Sequence, residues 1–220
     1  MVHLIPVPFM IVTVALLIRS ESQPVRPRVR IWKPFSSLLM ISVAALAWLR
    51  PHSDPAYTSW ILAALVLSTV GDVALMFGSP RAFLAGLVAF LLAHIVYSTA
   101  FTLWNGLQSA DWVTGAVLLV LGSWLYRYVL PGLGRLRLPV ALYIVVICVM
   151  LNRAFSTLWG DAFSPIQRWM IAIGALFFWI SDLMLGLNRF GRPFSWNRIS
   201  LAFYYAGQAL LALSASYFVA

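Results

Sequence analysis

Eight times along the chain the sequence runs for about twenty residues almost without charge, and this limits what it can fold into. A backbone in hydrocarbon has no water to bond, so each N–H and C=O must be satisfied within the protein. A helix does this inside one segment. The apolar runs cover 3–19, 34–50, 58–77, 82–104, 112–130, 138–157, 165–187 and 197–219. They predict an all-α integral membrane protein of eight transmembrane helices, a single transmembrane domain over 1–220. Pro34, Pro80, Pro131, Pro139, Pro165 and Pro193 fall at or near the proposed ends, where a missing N–H costs least. A large soluble helical core would need polar faces recurring every turn. With 62% hydrophobic and 10% charged residues, long stretches here have none.

The charges test the helix count. Fifteen Lys+Arg against six Asp+Glu could mark a nucleic-acid binder, but the basic residues sit in short connections between apolar runs. If connections are taken alternately, one side collects Arg19, Arg26, Arg28, Arg30, Lys33, Arg81, Arg127, Arg135, Arg137, Arg189, Arg192 and Arg198. The other collects only Arg50, Arg153 and Arg168. The basic side is the expected cytoplasmic side, which puts both termini on the other. The N-terminal run lacks a basic leader and a small-residue cleavage site, so it reads as a retained first span. The single cysteine, Cys148, lies inside a span and reads as a small buried hydrophobe.

The third and seventh spans share a pattern. Gly71-Asp72-Val73-Ala74-Leu75-Met76-Phe77 matches Ser181-Asp182-Leu183-Met184-Leu185-Gly186-Leu187: a small residue, an aspartate, then an apolar run into a short basic loop. The chain therefore reads as two four-helix repeats in the same orientation, 1–110 and 111–220. Asp72 and Asp182 would enter from matching helices, about five residues inside the cytoplasmic ends, roughly 7–8 Å deep.

An ionisable side chain inside a span is costly and points to function. The plainer reading is a polar clamp between helices. Two aspartates at equivalent positions favour function: two carboxyls sharing one proton supply a general acid and a general base together. His94 is the only histidine deep within a span, since His3 and His52 lie at an end and in a loop. Tyr97 is one turn further on its face and Phe90 one turn before. His94 counts out nearly 10 Å deeper than the aspartates, so contact with them is left open. Two Asp and one offset His make a weak case for a metal. Tyr204, Tyr205 and Gln208 form a polar face on the eighth span, Tyr143 stands alone among apolar residues of the sixth, and Trp179 lies one turn before Asp182. Trp32, Trp60, Trp104, Trp112 and Trp196 read as interfacial anchors, and Gly71, Gly86, Gly174 and Gly207 as sites of close helix packing.

Gly71-Asp72 through Phe77, with Phe83-Leu84-Ala85-Gly86-Leu87 and Ala93-His94-Ile95-Val96-Tyr97, resembles the YhhN-like lysoplasmalogenase family. Gly174-Ala175-Leu176-Phe177-Phe178-Trp179-Ile180-Ser181-Asp182 follows the same family, as do Lys33-Pro34 and Tyr143. The resemblance implies a membrane hydrolase that cleaves the vinyl-ether bond of lysoplasmalogens to a fatty aldehyde and a glycerophospho-head group. It makes Asp72 and Asp182 the expected catalytic carboxyls, with Lys33, His94 and Tyr143 as pocket residues.

Vinyl ethers hydrolyse by protonation at the β-carbon, capture of the resulting oxocarbenium ion by water, and collapse of a hemiacetal. Two carboxyls in unequal states meet these needs without a cofactor. Lys33, Arg81, Arg189 and Arg192 are placed to hold a lysophospholipid phosphate, with Tyr97, Trp179, Tyr204 and Gln208 lining the pocket and an apolar cavity taking the chain. The rival readings are a small proton-coupled transporter and a non-catalytic lipid-binding membrane protein.

Overall fold

The computed structural model describes residues 2–21, 28–50, 53–192 and 198–218; Arg26, His52, Pro193 and Trp196 lie outside these. Eight α-helices form at the eight expected places: α1 (Pro6–Glu21), α2 (Val29–Ala45), α3 (Pro55–Leu75), α4 (Pro80–Asn105), α5 (Asp111–Val129), α6 (Arg137–Ser156), α7 (Pro165–Phe190) and α8 (Ile199–Ser214). No strand occurs among the described residues.

Seven of the helices, taken with their flanking 3-10 turns, are long and apolar enough to cross a membrane. The eighth, 16 residues long among the described residues, spans about 24 Å against a hydrocarbon core of roughly 30 Å. It stops at Ser214, five residues before the expected 219, where Ala215 and Ser216 turn away.

Two of the boundary prolines, Pro80 and Pro165, open helices in the way the sequence implies, and Pro55 does the same for α3. Asp54 caps α3 by accepting from the Ala56 and Tyr57 N–H groups, with Pro55 next. Ser79 caps α4 ahead of Pro80, and Ser164 with Gln167 forms a capping box ahead of Pro165 on α7. Each side-chain oxygen meets N–H groups that have no partner inside the helix. Pro34 departs from the expectation. It lies inside α2, which begins at Val29, five residues early. The early start brings Lys33 onto the helix, where the sequence reading had it at the helix entry.

The tightest pairings are α3 with α4 and α7 with α8. Both depend on glycine. A Cβ on Gly207 would stand 2.7 Å from the Gly174 carbonyl oxygen, and one on Gly86 would stand 3.3 Å from that of Gly71. Around these hairpins α2 packs on α1, α3 and α8, while α6 packs on α4, α5 and α7. α5 lies at the rim, turning Trp112, Val113, Leu119 and Val120 outward. That outward apolar face suits a lipid environment.

Candidate active site

Asp72 sits on α3, three residues before its end, and is buried. Both oxygens of its carboxylate are engaged. The Lys33 ammonium on α2 stands 3.2 Å from Oδ1. Ser37, one turn further along α2, donates to Oδ2 at 2.9 Å, and the Tyr204 hydroxyl on α8 donates to the same oxygen at 2.8 Å. Tyr205 reaches back to α2, donating to the Lys33 carbonyl at 3.3 Å. The sequence offers no Lys or Arg within the aspartate's own span; the neutralising charge comes from a neighbouring helix.

Asp182 sits on α7, eight residues before its end. It takes a short hydrogen bond at Oδ2 from the Tyr143 hydroxyl on α6. The His94 Nε2 on α4 stands 3.8 Å from the same oxygen. Tyr143 and His94 also meet edge to face, with ring centres 5.3 Å apart. His94 is completely buried, and neither ring nitrogen has a hydrogen-bond partner.

His94 is thus brought to Asp182 despite its counted depth. The residue count assumed helix ends lying in common planes. In the fold α7 runs on to Phe190, past the expected 187, and α4 begins at Pro80, ahead of the expected 82. Distance along a helix axis is therefore a poor guide to which side chains meet.

An aromatic group adjoins both aspartate sites. The Phe90, Phe178 and Tyr204 rings pack mutually with centres 5.3–6.0 Å apart, and the His94 ring lies 4.7 Å from Phe178. Tyr204 of this group donates to Asp72, while His94, packed on its Phe178, faces Asp182. Tyr97 and Gln208 lie one turn deeper, fully buried and joined by a 2.7 Å hydrogen bond.

An open cavity runs along the α7 face that carries Asp182. Its walls are almost wholly apolar, formed by residues such as Leu87, Phe90, Ile147 and Trp179. Asp182 and Tyr143 provide polar groups in the wall, and Arg189 adds a cation in the last turn of α7. The Arg189 guanidinium lies over the Phe83 ring, 4.5 Å from its centre. A cavity of this kind suits a long apolar chain ending in an anionic head, with a carboxyl between the two.

The expected site residues therefore divide. Asp182, Tyr143 and Trp179 line the cavity, and His94 backs it. Asp72, Lys33, Tyr97, Tyr204 and Gln208 do not line it. Lys33, expected to hold a phosphate, is committed to Asp72. Ser37 and Phe178 also take part, though neither is among the expected site residues. Each had a signal in helical spacing: Ser37 follows Lys33 by four residues, and Phe178 precedes Asp182 by four. Among the described residues no three His, Cys, Asp or Glu come together in a metal-binding group.

The chain is similar to several proteins named as lysoplasmalogenases. It is 31% identical to lysoplasmalogenase TMEM86A of Bos taurus over 186 residues, covering 82% of this chain and 74% of that protein. It is 34% identical to the Homo sapiens TMEM86A lysoplasmalogenase over the same shares. With a lysoplasmalogenase of Mycobacterium tuberculosis it shares 32% identity, over 70% of this chain and 58% of that protein. No solved structure matches the chain significantly. The model of the YhhN family matches residues 29–215, which include both aspartate sites and all eight helices except α1, and the chain belongs to the YhhN family.

Proposed function

We propose that this protein is a membrane hydrolase that cleaves the vinyl-ether bond of lysoplasmalogens, giving a fatty aldehyde and a glycerophosphoethanolamine or glycerophosphocholine. The carrying observation is a carboxyl, Asp182, set in the wall of an apolar cavity that also presents Arg189. The hydrocarbon chain occupies the cavity, Arg189 attracts the phosphate, and the vinyl ether lies against Asp182. Protonation of a carbon needs an acid held against it, and a carboxyl fixed by a hydrogen bond in an apolar wall is such a group. The names of the relatives support the same substrate class.

The two four-helix halves, 1–110 and 111–220, are proposed to be equivalent units in one orientation. The basic loops lie on the cytoplasmic face of a bacterial inner membrane, with both termini opposite. Uninterrupted α3, α4, α6 and α7 favour this reading over a transporter, whose substrate site is typically built from broken helices.

The test is release of aldehyde from lysoplasmenylethanolamine by the purified protein in detergent. Asp182→Asn is expected to lower kcat by about 10²–10⁴-fold with the fold retained. A folded, fully active Asp182→Asn variant would refute the assignment. Substrate flux in liposomes without any turnover would establish the transporter instead.

A further inference from the structure

The two aspartate sites use the same three chain positions, 110 residues apart. Asp72 and Asp182 differ by 110, as do Lys33 and Tyr143, and His94 and Tyr204. The contacts follow the spacing. Asp72 meets Lys33 on the preceding helix α2 and Tyr204 on α8, which closes the other half. Asp182 meets Tyr143 on the preceding helix α6 and His94 on α4, which closes the other half in turn. One spacing shared by three pairs of contacting side chains is what a four-helix unit used twice would produce.

The copies differ most in what the first position carries. At 33 it is a lysine, whose ammonium takes Oδ1 of Asp72 while Ser37 and Tyr204 take Oδ2. At 143 it is a tyrosine, which brings one neutral donor to Oδ2 of Asp182. Among the described residues Oδ1 of Asp182 receives no hydrogen bond, and position 147, the counterpart of Ser37, is the apolar Ile147. The Asp182 copy opens on the cavity; the Asp72 copy does not.

We propose that the fold contains two copies of one carboxyl site, that Asp182 alone carries out the proton transfers, and that Lys33 has closed the other copy. Asp72 then serves as the counter-charge of Lys33, tying α2, α3 and α8 together. This rests on the lysoplasmalogen reading above and replaces two catalytic carboxyls with one.

A single carboxyl can complete the reaction. Protonated Asp182 gives its proton to the β-carbon; the alkene π electrons form the new C–H bond, and an ether-oxygen lone pair forms the oxocarbenium. Water adds to the cationic carbon and loses a proton to the Asp182 carboxylate, giving the hemiacetal. Asp182 then protonates the ether oxygen, the C–O bond breaks, and the hemiacetal O–H proton returns to Asp182 as the aldehyde forms. One water is consumed, and Asp182 ends protonated as it began.

Two measurements test the assignment. The first compares Asp182→Asn with the double variant Lys33→Met/Asp72→Asn, which removes both charges together and leaves neither buried alone. The double variant is expected to release aldehyde within about fivefold of wild type, and Asp182→Asn to lose at least about 10²-fold. A folded double variant as inactive as Asp182→Asn overturns the proposal. The second uses wild type and does not depend on any variant folding. Dicyclohexylcarbodiimide adds to protonated carboxyls, and peptide mapping by mass spectrometry is expected to find the adduct on Asp182, blocked by a non-cleavable alkyl-ether lysolipid. An adduct on Asp72 in preference, or none on Asp182, overturns the proposal. If wild type releases no aldehyde, the lysoplasmalogen reading fails while the adduct still reports which carboxyl is open. If wild type is active and the double variant is folded but dead, only the one-carboxyl assignment fails.

Discussion

His94 and Asp182 meet 3.8 Å apart, Nε2 to Oδ2, on helices that place them 88 residues apart in the chain. Tyr143 donates to the same carboxylate oxygen and lies edge-on to the His94 ring. The carboxyl is therefore fixed by Tyr143, backed by the His94 ring, and open to the cavity.

His94→Phe separates the ring from its nitrogens. Phenylalanine keeps the packing on Phe178 and Tyr143, and replacing a buried polar group that has no hydrogen bond with an apolar one of like shape is nearly neutral for stability. The thermal midpoint in detergent is expected to stay within a few degrees of wild type. kcat for aldehyde release is expected to fall about tenfold, less than the 10²–10⁴-fold attached to the acid itself. Unchanged kcat would show that His94 merely fills space.

Tyr143→Phe removes the hydrogen bond to Asp182 and leaves the ring in place. A net loss of about 1 kcal/mol follows if the bond is an ordinary one, because the carboxyl still has the cavity to face. The larger effect is expected on kcat, with KM little changed, since an unrestrained carboxyl no longer addresses the β-carbon from a fixed position. Steady-state kinetics in mixed micelles would decide; an effect confined to KM would place Tyr143 in substrate binding instead.

Gly186→Leu addresses the cavity directly. Gly186 lines it, and a Cβ built there has nothing within 4 Å, so the new side chain grows into open space without displacing backbone. KM for a long-chain lysoplasmalogen is expected to rise about tenfold, the scale of a lost methylene-sized contact or two, with the melting profile unchanged. If KM holds and the fold is intact, the hydrocarbon chain lies elsewhere.

Much of the fold was legible because hydrocarbon leaves the backbone few choices. Pro80 and Pro165, at the heads of their apolar runs, locate two helix starts to within a few residues. Gly71, Gly86, Gly174 and Gly207 pack as their size implies. The site was legible in its members and less so in its groupings. Asp72 and Asp182 look alike in sequence because the motif around each is local. What makes them different is Lys33 and Ser37 on one distant helix and Tyr143 on another. Helix ends are also ragged, so a depth counted along α4 and another along α7 gave no sign that His94 and Asp182 would touch. Tyr97 and Gln208, read as lining a pocket, instead satisfy each other in the core, since a buried amide and hydroxyl on facing helices are each other's nearest partners.

The far end of the molecule supplies a prediction about stability alone. Arg153, one of three basic residues on the sparsely charged side, is buried and ion-paired with Asp111; it also donates to the Gly106 carbonyl at 3.3 Å and to the Asn152 side chain. Asp111 in turn accepts from the Gln108 N–H at 2.6 Å, so the pair closes the α4–α5 loop onto the end of α6. Arg153→Leu leaves that largely covered carboxylate without its cation, a change worth up to about 3–5 kcal/mol. For a chain of this size each kcal/mol corresponds to about 2–4 °C, so the midpoint should fall by up to roughly 6–20 °C. Adding Asp111→Asn removes the stranded charge and should recover much of the loss. Below its own midpoint the single variant should retain wild-type kcat, because the pair stands at the opposite ends of α4 and α6 from the Asp182 cavity. A loss of kcat in folded protein would instead mean that this end of the bundle is coupled to the active site.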